Sequence, residues 1–174
     1  MSDEVGTPKA TGNPYVGPQA FRRGDAFYGR DMETADLLDL LIAERVVLLY
    51  SPSGAGKSSL IAAGLVRQLE AEGFEVLPTV RLTHEPPPGS SLSSPPRNRY
   101  ALSTLLSLEE GLLEEHQHRT ADLDTMTVTE YLANRPDLDN TRGNEVLLFD
   151  QFEEVITADP NDHAAKEEFF NPEL

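Results

Sequence analysis

Two apolar runs in the chain, residues 45–50 (RVVLLY) and 145–150 (EVLLFD), have no polar alternation. That is the pattern of short strands covered on both faces, as in a parallel sheet. A third run, residues 74–82 (FEVLPTVRL), also reads as a strand and holds Pro78. Proline cannot donate to a ladder, so this strand belongs at a sheet edge. Between the runs the apolar spacing is helical. A helix is predicted over residues 31–44, capped by Asp31, with Met32, Ala35, Leu38 and Ile42 on one face and Leu37 and Leu41 widening it. A second helix follows residues 51–59, buries Leu60, Ile61, Gly64, Leu65 and Leu69, and ends at Gly73. Further helices are predicted over 101–118 and 127–134, from about residue 151, and over 162–170. Strands alternating with helices define an α/β fold, a parallel sheet with flanking helices and right-handed crossovers.

The intervening segments set the organisation. Residues 1–12 read as a disordered tail, and residues 13–44 as a strap carrying Tyr15, Phe21, Phe27 and Tyr28 followed by the first helix. Residues 45–174 form the main body, with a Pro/Ser-rich flexible loop at 84–99. The 174 residues carry a formal charge of −16 and no cysteine. That charge disfavours direct nucleic-acid binding and anionic membrane surfaces. Without cysteine there is neither a disulfide framework nor a thiolate metal site. There is no apolar leader and no membrane-spanning run, so a cytoplasmic location is expected.

The chemistry concentrates in Ser51-Pro52-Ser53-Gly54-Ala55-Gly56-Lys57-Ser58-Ser59. This matches the phosphate-binding P-loop pattern G-x-x-x-x-G-K-[ST], with Ser51 in place of the first glycine. It lies between a strand-like run and an amphipathic helix, as the pattern requires. Gly54 and Gly56 let the backbone bend and approach an oxyanion. The amides of Ser53, Gly54, Ala55, Gly56, Lys57, Ser58 and Ser59 would then face phosphates at a helix N-terminus. Lys57 would reach the β- and γ-phosphates, and the Ser58 hydroxyl would ligate Mg²⁺. A serine at position 51 is strained if the turn demands a positive φ.

Such a loop works with a carboxylate at the end of a nearby apolar strand. Asp150 is that candidate for the Mg²⁺ shell, followed by Gln151-Phe152-Glu153-Glu154. Glu153 is the first candidate for the group that activates water, and Glu154 the second. Adjacent residues on a helix face about 100° apart, so only one would point inward.

Three segments together resemble the bacterial novel STAND NTPases, first subgroup. They are Asn13-Pro14-Tyr15 with Phe21 and Phe27-Tyr28-Gly29-Arg30, then residues 52–60, then Asp150-Gln151-Phe152-Glu153-Glu154-Val155. The resemblance implies a P-loop NTPase fold, ATP and Mg²⁺ as ligands, and a regulatory switch in which ATP favours self-association and hydrolysis resets it. It also implies that Gly29 and Arg30 lie near the adenine. Relatives continue into a sensor strand, a lid and repeat domains, and their sheet order is 5-1-4-3-2. On that comparison the chain reads as an N-terminal part, truncated before the fourth strand, with an unfilled gap between its first and third strands.

Two other functions compete with an ATP-hydrolysing switch. A small-molecule P-loop kinase needs an arginine-rich lid, which is not evident. A nucleotide-binding module without turnover is the other. A GTPase is disfavoured, because Lys9, Lys57 and Lys166 are the only lysines and none lies in an [NT]-K-x-D motif. His116 and His118 do not share a helix face, and His84 and the arginines at 97 and 99 read as solvated loop residues. The acidic run at 109–115 reads as a solvated helix face.

Overall fold

The computed structural model describes residues 21, 23, 25, 27–90, 92, 96–135, 143–157 and 161–170. The tail at 1–12, most of the aromatic strap and part of the Pro/Ser-rich loop lie outside them. The chain divides into two compact units, Met1–Ala71 and Glu72–Leu174.

In the first unit, α1 spans Asp31–Ala43. Asp31 is not its cap. Arg30 holds that position without a side-chain cap bond, and Asp31 and Glu33 favour the positive end of the helix from its first turn. The period is helical, but the phase differs from the expected face. Thr34 and Leu37 are buried and Leu38 and Leu41 half-buried, whereas Met32, Ala35 and Ile42 are exposed. Thr34 sets this phase, its hydroxyl donating to Arg30 O at 2.7 Å. The next helix begins as α2 (Lys57–Ser59), widens to π winding over Leu60–Leu65, and returns to α winding as α3 (Val66–Ala71). Leu60, Leu65, Val66 and Leu69 are buried, each contributing roughly 1.5–3 kcal/mol. The wide turn packs on α1 at Gly64, where an added Cβ would lie 2.9 Å from Thr34 Oγ1.

The expected strand at 45–50 is not formed. No strand hydrogen-bonds to it among the described residues, and Val46, Leu48 and Tyr50 are 76–87% exposed. An apolar run becomes a strand only when a neighbour takes its backbone groups, whatever its side chains favour.

In the second unit the 74–82 and 145–150 stretches pair in parallel, but as short pieces. β1 (Glu75–Val76) pairs with β3 (Glu145–Val146), and β2 (Val80–Arg81) with β4 (Phe149–Asp150). Pro78, without an N–H, falls in the break between them. The pairing puts the second and third predicted strands side by side, as the sheet order of related chains implies. Over this ribbon lies α4 (Arg99–Glu109), whose Leu105 is fully buried beside Val80 in one core cluster. Ser107 ties the layers, accepting from Arg81 N at 3.2 Å and donating to Ser103 O at 2.8 Å.

α4 is shorter than the predicted 101–118. It starts two residues earlier because Asn98 caps it, accepting from Tyr100 N and Ala101 N. It stops at Glu109, and Gly111 takes φ +88 just beyond. Glu109 is not on a solvated face. It is buried, and its carboxylate accepts from His118 N at 2.8 Å, with His118 Nδ1 2.9 Å away. Burial pushes the Tyr131 hydroxyl well above its ordinary range, and a hydrogen bond to Glu109 adds to this. A 3₁₀ turn (Glu114–His116) and α5 (Thr120–Leu123) lead to α6 (Val128–Asn134). Thr127 and Glu130 close a reciprocal capping box on α6. After the strands come α7 (Glu154–Thr157) and α8 (His163–Phe170). Asn98 Nδ2 donates to Ala165 O at 2.9 Å, and Tyr100 packs on Phe169.

Of the residues expected to be solvated, His84 and Arg99, which opens α4, are half-buried, whereas Arg97 is exposed. His84 lies 3.3 Å from Glu110, while Arg97 and Arg99 pair with Glu168 and Asp162.

Candidate functional site

In the first unit the glycine-rich segment forms a tight turn that leads straight into α2. Ala55 N donates to Pro52 O at 3.2 Å. Gly54 and Gly56 have φ +79 and +85, a left-handed backbone that only glycine holds without strain. An ideal Cβ at either would meet nothing within 4 Å, so these glycines are required by backbone direction rather than by crowding.

Lys57 Nζ donates to Ser51 O at 2.8 Å, folding the side chain across the turn. Ser58 is exposed, and Ser59 half-buried. The Ser59 hydroxyl accepts from Phe21 N at 3.1 Å, which fastens the aromatic segment to the helix, and Phe21 stacks edge-to-face on Phe27. Arg30 Nη2 donates to Ala55 O at 3.3 Å, so the Gly29-Arg30 pair, with Gly29 at φ +78, sits beside the turn. Arg23 pairs with Glu70 farther along the same helix.

The acidic candidates lie in the second unit. Asp150 ends β4, and its Oδ1 accepts from Gln151 N at 3.0 Å. Gln151 has φ +54, the one non-glycine residue in the left-handed region among those described. That break delays the helix expected from about residue 151, so α7 starts at Glu154. Glu153 is exposed, and its carbonyl accepts from Ile156 N and Thr157 N, placing its backbone at the head of the helix. Glu154 is half-buried, Val155 is buried, and Phe152 packs between Phe149 and Phe170. Among the described residues there is no cluster of three or more His, Asp or Glu poised to hold a metal. No helix among them is long and apolar enough to cross a membrane.

Thus the structure gathers Arg30, Ser51, Ala55 and Lys57 in one unit, and Asp150, Glu153 and Glu154 at one strand end in the other. Sequence reasoning overlooked two features. One is the role of Ser51, whose carbonyl holds Lys57 and whose covered hydroxyl has no hydrogen-bond partner among the described residues. The other is Glu109 with His118 and Tyr131, foreshadowed by Glu109 falling in phase with Leu102, Leu105 and Leu106 on the buried side of α4.

The architecture is that of a mixed α/β chain with parallel strand pairs, and its glycine turn opens a helix. The family model for Novel STAND NTPase 1 (nSTAND1) matches residues 14–172, and the chain belongs to that family. Membership in an NTPase family carries nucleotide binding as the activity of the class. No curated protein and no solved structure matches the chain.

Proposed function

We propose that the chain binds ATP with Mg²⁺ through the turn at 51–59 and serves as the nucleotide-dependent module of a signalling switch. The observation that carries this reading is the pair of left-handed glycines, Gly54 and Gly56, with Lys57 immediately after them at the head of a helix. Two such residues cost folding entropy, and a surface turn has no need of both. They leave the turn open on the glycine side, and a helix N-terminus behind it favours anions. The donor set also fits the ligand: one ammonium for phosphate, one exposed hydroxyl at Ser58, and open space over both glycines.

In this reading Ser53, Gly54, Ala55, Gly56, Lys57, Ser58 and Ser59 hold the phosphates, and Gly29 and Arg30 face the base. Ser58 on the turn would hold Mg²⁺, with Asp150 the carboxylate proposed for its shell, and the ion would supply neutralising charge for the β- and γ-phosphate oxygens. Lys57 withdraws charge from the same oxygens. Glu153, with its side chain exposed, positions or deprotonates the attacking water, and Glu154 is the alternative. The absence of an [NT]-K-x-D motif supports ATP over GTP. Self-association on ATP binding, a cytoplasmic location and further sensor or repeat domains in a longer chain complete the proposal.

The test is a panel of ATP, GTP and ADP, each with and without Mg²⁺, followed by phosphate release and light scattering. ATP should bind best, and phosphate should appear only with Mg²⁺. Asp150→Asn should remove most of the Mg²⁺ dependence. Glu153→Gln should leave binding unchanged and slow release about 100-fold or more. Normal release by Glu153→Gln and loss in Glu154→Gln would assign the role to Glu154. Transfer of phosphate to a small acceptor instead of water would replace the switch with a kinase.

A further inference from the structure

We propose that Ser51 is a nucleotide-contacting residue that this chain adds to its phosphate turn, its hydroxyl donating to a phosphate oxygen when Lys57 transfers from the Ser51 carbonyl to the same phosphate. The proposal rests on the reading that the turn binds a nucleoside triphosphate.

Three observations carry it. First, the Ser51 Oγ is covered and has no hydrogen-bond partner among the described residues. A hydroxyl can donate one bond and accept two, and a covered one left unpaired is disfavoured and uncommon. Second, the same residue's carbonyl accepts Lys57 Nζ at 2.8 Å. The ammonium therefore rests on the residue whose side chain lacks a partner. A phosphate oxygen is a stronger, charge-assisted acceptor than a neutral carbonyl, so phosphate at the turn draws Lys57 off Ser51. Third, Ser51 is not in the left-handed region, because Gln151 alone among the described non-glycine residues has a positive φ. The P-loop pattern has glycine here, yet the backbone at Ser51 does not need it. The side chain is thus accommodated without strain, and a step to another staggered χ1 rotamer is enough to re-aim the hydroxyl.

In chemical terms the turn exchanges one pairing for two. Before phosphate arrives, Lys57 is bound to a carbonyl and the hydroxyl has nothing. Afterwards, Lys57 and the Ser51 hydroxyl both donate to phosphate oxygens. Removing the hydroxyl should therefore weaken nucleotide binding without harming the protein that lacks nucleotide.

The experiment uses calorimetric titration of the full 174-residue chain with Mg²⁺ and a non-hydrolysable ATP analogue, together with melting curves taken without nucleotide. Wild type, Ser51→Ala, Ser51→Thr and Lys57→Ala are compared. Ser51→Ala should weaken binding about tenfold, the scale of one hydrogen bond to a charged group, and Ser51→Thr should stay within about threefold of wild type. The melting temperature of Ser51→Ala should match or exceed that of wild type, because a covered unpaired hydroxyl has been removed. Binding by Ser51→Ala within twofold of wild type, or a lowered melting temperature for it, overturns the proposal. If wild type binds and Lys57→Ala does not, the reading of the turn stands whatever Ser51 does. If folded wild type binds no analogue, that reading falls and the role of Ser51 falls with it.

Discussion

In Glu72–Leu174, Leu105 and Val80 are fully buried between a helix and a parallel ribbon, and capped helices close over them. In Met1–Ala71 the most apolar stretch of sequence, residues 46–50, leaves Val46, Leu48 and Tyr50 almost as exposed as in an unfolded chain. Residues 46–50 (VVLLY) and the ribbon's residues 146–149 (VLLF) have nearly the same composition, so composition does not decide their fate. A helix pairs its own backbone and needs only a surface to lie on, which α1 supplies to the helix after the turn. A strand must borrow its pairing from another segment. The ribbon at 75–81 and 144–150 has that partner, and residues 46–50 do not have one among the described residues.

That contrast can be broken by mutation, with the largest effect in the second unit. Leu105→Ala should cost about 2–5 kcal/mol of unfolding free energy in urea melts, by lost transfer energy and the cavity left behind. Leu48→Ala should cost less than about 0.5 kcal/mol, as at an exposed site. Equal costs would show that 46–50 is covered in solution. Next in size is Gly64→Ala, which sets a Cβ 2.9 Å from the buried, hydrogen-bonded Thr34 hydroxyl. Overpacking of roughly 1–3 kcal/mol outweighs the helix propensity gained, giving a net loss of about 1 kcal/mol. A gain in stability would mean that α1 gives way there.

Thr127→Ala should remove about 1 kcal/mol by loss of an N-cap. The same cap confers a pH dependence. Hydrogen bonds from the Thr127 backbone, and then from its side chain, hold the Glu130 carboxyl below its ordinary value near 4.5. A carboxyl lowered in the folded state stabilises above its unfolded value, and that contribution is lost as pH falls through the depressed value. Acid titration of α6 followed by NMR should show this loss in wild type and only part of it removed in Thr127→Ala, which keeps the backbone N–H that donates to Glu130 and loses the hydroxyl. The smallest effect is expected at Gln151. Glycine relieves the strain of φ +54 but adds unfolded-state entropy, so Gln151→Gly should change stability by less than about 1 kcal/mol.

How much was legible in the sequence follows from the range of the forces involved. Short-range chemistry was readable: the glycine turn, the helix it opens, the strand ending at Asp150, and the helix at residues 128–134 all lie within a residue or a few of their expected places. What depended on distant contacts was not. The buried side of α1 follows Thr34 rather than Met32, because a hydroxyl bond and the approach of Gly64 fix its rotation. The predicted helix over 101–118 ends at Glu109, because a buried carboxylate captures His118 nine residues on. Pro78 placed the strand at 74–82 on a sheet edge, but periodicity alone could not show that both partners would divide at the same place. The left-handed Gln151 has no sequence signal of its own, since glutamine seldom adopts that region.

The central claim is that the turn of Gly54, Gly56 and Lys57 is a phosphate site. Its most direct test is calorimetric titration of Mg·ATP into wild type and Lys57→Ala, with circular dichroism to verify that both are folded. Wild type should bind saturably and one-to-one, and Lys57→Ala should lose at least 100-fold in affinity, from removing a cation held against phosphate. Equal affinity of the two folded proteins for Mg·ATP would contradict the claim.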